Sequence, residues 1–153
     1  MKIEGQHRFD GSQQEVWDLM QDPEVWRNAM PGVKEWKEAG PNQYEMTIKI
    51  AVAGIGGTYS GKVGLQDHDP PRHYRLVMEG SSALGFVKGA GDVNLSEENG
   101  KTVMHYAAEV QLGGTLASVG QRLAGVVSKP LIGQGFKALD RQLKERREAR
   151  KVS

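Results

Sequence analysis

Chemistry has few places to reside in this chain, because it contains no cysteine and only four histidines. Disulfides, thiolate metal sites and a cysteine nucleophile are therefore excluded. The tyrosines are better placed. Tyr44, Tyr59, Tyr74 and Tyr106 each fall on the apolar side of an alternating run, where the ring adds apolar surface and the hydroxyl needs a hydrogen-bond partner. The first three read as aromatic packing near strand ends. Tyr106 stands mid-strand beside Ala108 and is the best candidate for a polar contact to a ligand carbonyl or hydroxyl. His7 shares the apolar side of the first run with Ile3, Gly5 and Phe9; it either joins Tyr106 or is an ordinary satisfied core histidine. His68 and His73, with Asp67 and Asp69, are metal-ligating types, but they sit in a Pro-rich turn without ligand spacing. Gly54-Ile55-Gly56-Gly57 has neither phosphate-loop nor dinucleotide spacing and reads as a turn or bulge. No catalytic residue, metal or covalent cofactor is assigned.

The elements that must position these groups follow from periodicity. After the first strand, Ser12 and Glu15 form a capping box for a short helix with Val16, Trp17, Leu19 and Met20 as its apolar side. Asp22-Pro23 starts a second short helix with Trp26 and Met30 inward, and Met30-Pro31-Gly32 stops it. The period then changes to two. Val33 to Glu38 is a candidate strand; Tyr44, Met46, Ile48, Ile50 and Val52 form one side of the next; Tyr59, Gly61, Val63 and Leu65 one side of another. Tyr74, Leu76 and Met78 follow, then Val87 to Leu95 beyond a loop at Ser81 to Gly85. Glu98-Asn99-Gly100 makes a tight turn, and Met104, Tyr106, Ala108, Val110 and Leu112 alternate cleanly in the last strand.

Gly113-Gly114 ends the sheet, and Thr115 opens a long helix. If it is continuous to Arg150 it would be roughly 54 Å long at ~1.5 Å per residue, against a radius of gyration of ~15 Å for a domain of this size. Leu116, Val119, Leu123 and Val127 form one stripe. Ile132, Phe136, Leu139 and Leu143 form a second, on nearly the opposite side, with Pro130, Gly133 and Gly135 between the two sets. A bend near Pro130 is the favoured account, and a straight helix serving two surfaces the other. A sheet with one apolar face needs cover, and this helix is the only large piece available. The expected fold is α+β, a curved antiparallel sheet of about seven strands gripping a long C-terminal helix. Gly5, Gly61, Gly89, Gly91 and Ala108 at inward positions mark either bends in the sheet or a hollow beneath the helix.

At 153 residues the chain reads as one domain, 1–153, with a distinct amphipathic end at about 132–151. From Lys137 to Lys151 there are seven Lys/Arg against three Asp/Glu, whereas residues 1–136 hold thirteen against sixteen. The positive charge is in the tail, where it either suits the helix dipole or meets an anionic surface. On the distal helix, Ile132, Phe136, Leu139 and Leu143 form an apolar side and Lys137, Arg141 and Lys144 a basic one. That side would touch a membrane, a second chain or the domain's own edge. No window is long and apolar enough to span a bilayer, and the N-terminus has no apolar run, so a cytoplasmic address is expected. A short basic tail without interleaved aromatics disfavours nucleic acid.

Glu15-Val16-Trp17, Asp22-Pro23-Glu24, Met30-Pro31-Gly32-Val33, Asp69-Pro70-Pro71, Thr102 with Tyr106, and above all Gly113-Gly114-x-x-Ala117-x-x-Gly120-Gln121-Arg122-Leu123 resemble the CoxG family of carbon monoxide dehydrogenase proteins. That family belongs to the START-like (SRPBCC), helix-grip superfamily of polyketide cyclases and lipid-transfer domains. The resemblance runs from Met1 to about Leu143. It implies a hydrophobic-ligand cavity and association with a membrane-linked molybdenum dehydrogenase, through holding or delivering an isoprenoid quinone. His7 in place of an aromatic, Pro130 within the long helix and a basic tail in place of an apolar extension are departures from the family pattern.

The reading that follows is a non-enzymatic binder or carrier of a hydrophobic small molecule, a quinone or lipid, with peripheral attachment to an anionic membrane or a redox partner. Its pocket would draw on Tyr106, Met78, Met46, Ile48, Tyr59, Met104, Ala108, His7, Met30, Leu116, Val119, Leu123 and Val127, methionines being well suited to irregular greasy ligands. The alternatives are a cyclase or aromatase using Tyr106 and His7 as acid and base, and a protein-binding adaptor with a solid core. Ligand identity and oligomeric state are not encoded in a legible pattern.

Overall fold

The computed structural model describes residues 2–29, 32–51, 56–118, 120 and 128–152. Met30, Val119, Leu123 and Val127, four of the expected pocket residues, lie outside them. The elements are β1 (Lys2–Phe9), α1 (Gln13–Gln21), α2 (Pro23–Ala29), β2 (Val33–Gly40), β3 (Gln43–Ile50), β4 (Gly57–Asp69), β5 (His73–Ser82), β6 (Gly85–Glu98), β7 (Lys101–Gly114) and α3 (Ser128–Val152). The strands form one antiparallel sheet in the order β1-β7-β6-β5-β4-β3-β2. β1 and β2 are thus opposite edges, and α1 and α2 carry the chain from one to the other. A helical turn at 115–118 follows β7.

Local chemistry accounts for the boundaries. Ser12 Oγ accepts from the Glu15 N–H, and Glu15 accepts in return from the Ser12 N–H, the capping box expected from the sequence. The β6–β7 hairpin turns at Asn99 and Gly100, both at positive φ, the backbone that a tight two-residue turn requires. The loop expected at Ser81 to Gly85 is shorter in fact, because β5 runs to Ser82 and β6 begins at Gly85. The bend expected near Pro130 falls where the preceding residues lie outside those described; from Ser128 onward the backbone is helical.

The main core lies where α1, α2 and α3 meet the inner face of β5, β6 and β7. Phe9, Val16 and Leu19 are wholly buried there, and Leu139 and Leu143 join them. The second apolar stripe of the long helix therefore packs on the domain itself, and its buried members offer nothing to a membrane or a second chain. Lys137, Arg141 and Lys144, the expected basic side, are exposed, but three arginines further along the helix pack on the domain as well. Arg146 pairs with Asp22, Arg147 and Arg150 approach Glu15 Oε2 at 3.4 and 3.5 Å, and Arg147 also donates to the Asp10 carbonyl at 2.8 Å. These three arginines thus meet acidic groups at the starts of α1 and α2.

The inward glycines are explained by close approach. A Cβ on Gly61 would stand 2.0 Å from the Glu79 carbonyl oxygen, and one on Gly5 would stand 2.5 Å from the Tyr106 hydroxyl. These positions mark tight packing and curvature, so the hollow they suggested is elsewhere.

Glu15 is held below its ordinary carboxylate pKa of 4.5, first by the hydrogen bond from the Ser12 N–H and further by the arginines of α3. The unfolded chain binds that proton more readily, so the stabilisation is full above the ordinary value and is lost as pH falls through the lowered one. Glu15→Gln is expected to show a flatter stability profile than the natural chain between about pH 5 and pH 3, followed by chemical denaturation at each pH. An unchanged slope would mean that the capping box and the α3 arginines do not act on this group.

Candidate functional site

The apolar hollow is framed by α1, α2 and the inner face of β2 to β5. Met20 and Gln21 end α1, Trp26 comes from α2, Trp36 from β2, and Met46, Val63, Leu65 and Met78 alternate inward along β3, β4 and β5. The hollow has a volume of about 160 Å³ and an almost wholly apolar lining. One wall is an aromatic stack in which Trp26 and Trp36 lie 6.1 Å apart at 20°, and Trp36 and Tyr44 5.9 Å apart at 27°.

Two buried polar atoms of lining residues have no hydrogen-bond partner among the described residues, Trp36 Nε1 and Gln21 Nε2. Leaving a buried donor unsatisfied costs about 1–3 kcal/mol; both atoms belong to side chains that line the hollow, while the lining surface itself is almost wholly apolar. Among the described residues, Tyr44 is the only ionisable one in the lining. Burial, with Glu38 and Asp22 nearby, raises its pKa, so at neutral pH it is a phenol able to donate.

Of the residues expected to bind ligand, Met46 and Met78 line this hollow. Ile48, Tyr59 and Leu116 lie in an apolar cluster further along the same face, with Val87 and Leu112. Met104 belongs to the main core. His7, Tyr106 and Ala108 lie toward the β1 edge, away from the hollow. His7 Nε2 is 3.0 Å from Asp140 Oδ1, and its ring stacks on Phe136 at 4.2 Å, the satisfied-histidine alternative in physical form. Tyr106 sits over Gly5 and beside Phe136, 5.6 Å between centroids. Ile132, Lys137, Arg141 and Lys144 are on α3, where Ile132 is half-buried and the three cations are exposed. No group of three or more metal-ligating side chains occurs among the described residues.

Gln21 and Trp36 were not singled out by the sequence. Trp36 stands among charges in Lys34-Glu35-Trp36-Lys37-Glu38, and a register shift between Val33 and Glu35 breaks the alternation that would have marked it as inward. A tryptophan flanked by charges on an edge strand is the signal that remained.

A larger depression, of about 690 Å³, lies on the outer face of the sheet. Its floor is Gly64, Val77 and Ala90, and its walls carry Glu45, Lys62, Glu79 and Lys88. It is an open trough between charged side chains and lacks the apolar enclosure of the inner hollow.

The family model for CoxG, the G subunit of carbon monoxide dehydrogenase, matches residues 5–144. Among solved structures, a conserved protein from Geobacillus kaustophilus is 29% identical, with a TM-score of 0.89 over 95% of this chain and 96% of that one. A START superfamily protein from Mycobacterium smegmatis, 11% identical, has a TM-score of 0.70 over 94% of this chain and 97% of that one. The di-domain ARO/CYC StfQ of the steffimycin biosynthetic pathway, 12% identical, has a TM-score of 0.70 over 96% of this chain and 51% of that one. The last two likenesses show the START-like fold alone. No curated protein matches the chain.

Proposed function

Because the chain belongs to the CoxG family of carbon monoxide dehydrogenase proteins, we propose that it is a non-enzymatic carrier of an isoprenoid quinone or a lipid of similar shape, serving a molybdenum-containing dehydrogenase. The observation that carries the reading is an apolar hollow lined by two side chains whose buried N–H groups, Trp36 Nε1 and Gln21 Nε2, have no partner among the described residues. A quinone ring is flat and apolar and carries carbonyl oxygens that accept such bonds, and the Trp26–Trp36–Tyr44 stack offers it aromatic faces. The Gln21 amide can also accept, so the reduced hydroxyl form is accommodated by the same group.

Size sets how the ligand would lie. At about 160 Å³ the hollow is smaller than the ~300–1,000 Å³ usual for small-molecule sites. It takes a ring-sized head group, and an isoprenoid chain would extend along the inner face toward Ile48, Tyr59 and Leu116. The cyclase reading needs an acid and a base converging on the cavity. His7 is bound to Asp140, neither His7 nor Tyr106 lines the hollow, and Tyr44 is its sole ionisable lining group among the described residues. These placements favour the carrier.

Native mass spectrometry of the purified protein, followed by organic extraction, tests the proposal. The expected result is a near-stoichiometric isoprenoid quinone or lipid, or its uptake when one is supplied in detergent. A protein that carries nothing and takes up neither would overturn it.

A further inference from the structure

Three charge-free stretches meet at one end of the sheet. Among the described residues, Ile50, Ala51, 56–61, 80–87 and 110–118 contain no Asp, Glu, Lys or Arg, although a quarter of the whole sequence is charged. The antiparallel register brings them together: Ile50 pairs with Gly57, Ser82 with Gly85, and Gly85 with Gly114. The other end differs, with Asp69 and Arg72 at the β4–β5 turn and Glu98 and Lys101 at the β6–β7 turn. At the neutral end the exposed residues are small, such as Thr58, Ala83 and Ala117. Phe86, 42% exposed, is the one large exposed hydrophobic side chain among the described residues, and it lies there too.

Moving from that end along each strand, the first charge met is a lysine on five of the seven: Lys2, Lys34, Lys49, Lys62 and Lys88, all exposed. It is Glu79 on β5 and Glu109 on β7. A neutral rim with an exposed aromatic ring and a mostly lysine collar is thus set on a body whose first 136 residues are acidic on balance. Lys88 Nζ stands 5.7 Å from the Phe86 ring centre, so the collar begins beside the aromatic.

We propose that this rim is the face that docks on an anionic lipid bilayer. Among the described residues, entry of the rim into the head-group layer strips water from no charged side chain, the Phe86 ring brings exposed apolar surface to bury there, and the lysines meet lipid phosphates. The inner-face cluster of Ile48, Tyr59 and Leu116 lies at the same end. Met46 and Met78 are a few residues further along that face, so an apolar ligand would pass from bilayer to hollow beside apolar side chains. This relevance to delivery rests on the carrier reading; the docking itself does not. The membrane contact expected from α3 is thereby moved to the opposite part of the fold, in keeping with the burial of Leu139 and Leu143.

The test is flotation of the full chain with phosphatidylcholine vesicles, with and without phosphatidylglycerol and free of quinone. Binding is expected only with phosphatidylglycerol and should weaken as salt screens it. Each lysine near an anionic surface contributes about a five-fold factor, so Lys62→Gln with Lys88→Gln should weaken binding roughly 25-fold. Lys137→Gln with Arg141→Gln and Lys144→Gln should leave it within about two-fold, since those cations lie far from the rim. Phe86→Trp should be quenched by brominated lipid, an assay that does not depend on loss of function. Failure of the folded protein to float with either vesicle, loss of binding in the α3 variant alone, or no quenching of the Phe86→Trp protein would overturn the proposal, including in favour of a protein partner at this rim. Quinone uptake from detergent by the same lysine variants should be unchanged; a carrier failure would show there and leave the vesicle result intact.

Discussion

Leu143→Ala is expected to lower the unfolding free energy by about 2–5 kcal/mol, the range for truncating a buried leucine. Leu143 is 3% exposed, belongs to the main core with Leu139, and touches the backbone position of Gly11, where an added Cβ would stand 3.2 Å from its Cδ2. Little slack surrounds it, so the cavity left behind will not collapse and the larger part of the range applies. For a domain of this size the melting temperature should fall by roughly 5–20 °C. Its exposed neighbour Lys144, changed to Ala, should alter stability by no more than ~0.5 kcal/mol. The pair of measurements decides what the distal helix is for. A large effect at Leu143 means the apolar side of α3 holds α1 against the sheet; a small one would return it to the pool of surfaces free for a membrane or partner.

The second large effect concerns the hollow. Val63→Phe places a ring where Val63 now lines the cavity beside Met46 and Met78. In a solid core such overpacking costs about 1–3 kcal/mol. Here the ring has space to enter, so stability should change little while quinone uptake is lost by tenfold or more. Trp36→Phe with Gln21→Leu sharpens the test. Gln21→Leu keeps most of the side-chain volume and Trp36→Phe gives up the pyrrole part of the indole; together they remove the two N–H donors that no described residue accepts, and that relief offsets the lost ring volume, so stability should hold or rise. Affinity should fall by about tenfold, because each hydrogen bond to a ligand contributes about 0.5–1.5 kcal/mol. Opposite movement of stability and affinity is the mark of a group kept for binding. Loss of stability without loss of uptake would show that the two donors are satisfied in the folded protein and that the hollow is not the site.

The element order was legible because each signal is local. Ser12 with Glu15, Asn99 with Gly100, and the alternation from Met104 to Leu112 depend on residues a few positions apart, whose geometry the backbone sets without help. The seven strands and the gripping helix followed, and the family motif from Gly113 to Leu123 agreed with the match over residues 5–144. The apolar stripe of the distal helix was equally legible as a stripe. What it touches was not, because amphipathicity states that a face must be covered and leaves the cover unnamed.

The candidate site was legible only in part. Met46 and Met78 were placed by parity, but Trp36 was concealed by a register shift and Gln21 looked like any polar residue ending a helix. The inward glycines pointed to space that Tyr106 and neighbouring backbone occupy. A hollow is the mismatch left between surfaces that fold together, here α1, α2 and β2 to β5, and no single surface encodes it. Likewise each charge-free stretch looked ordinary in its own strand, and only the antiparallel register gathered three of them at one end. Sequence by itself determined which faces are apolar and in what order the elements come, since those are near-neighbour properties of the chain. Tertiary structure alone decided which apolar faces close on each other and, among the described residues, which polar groups that closure strands and which end of the sheet it leaves without charge, since those depend on residues brought together from far apart in the chain.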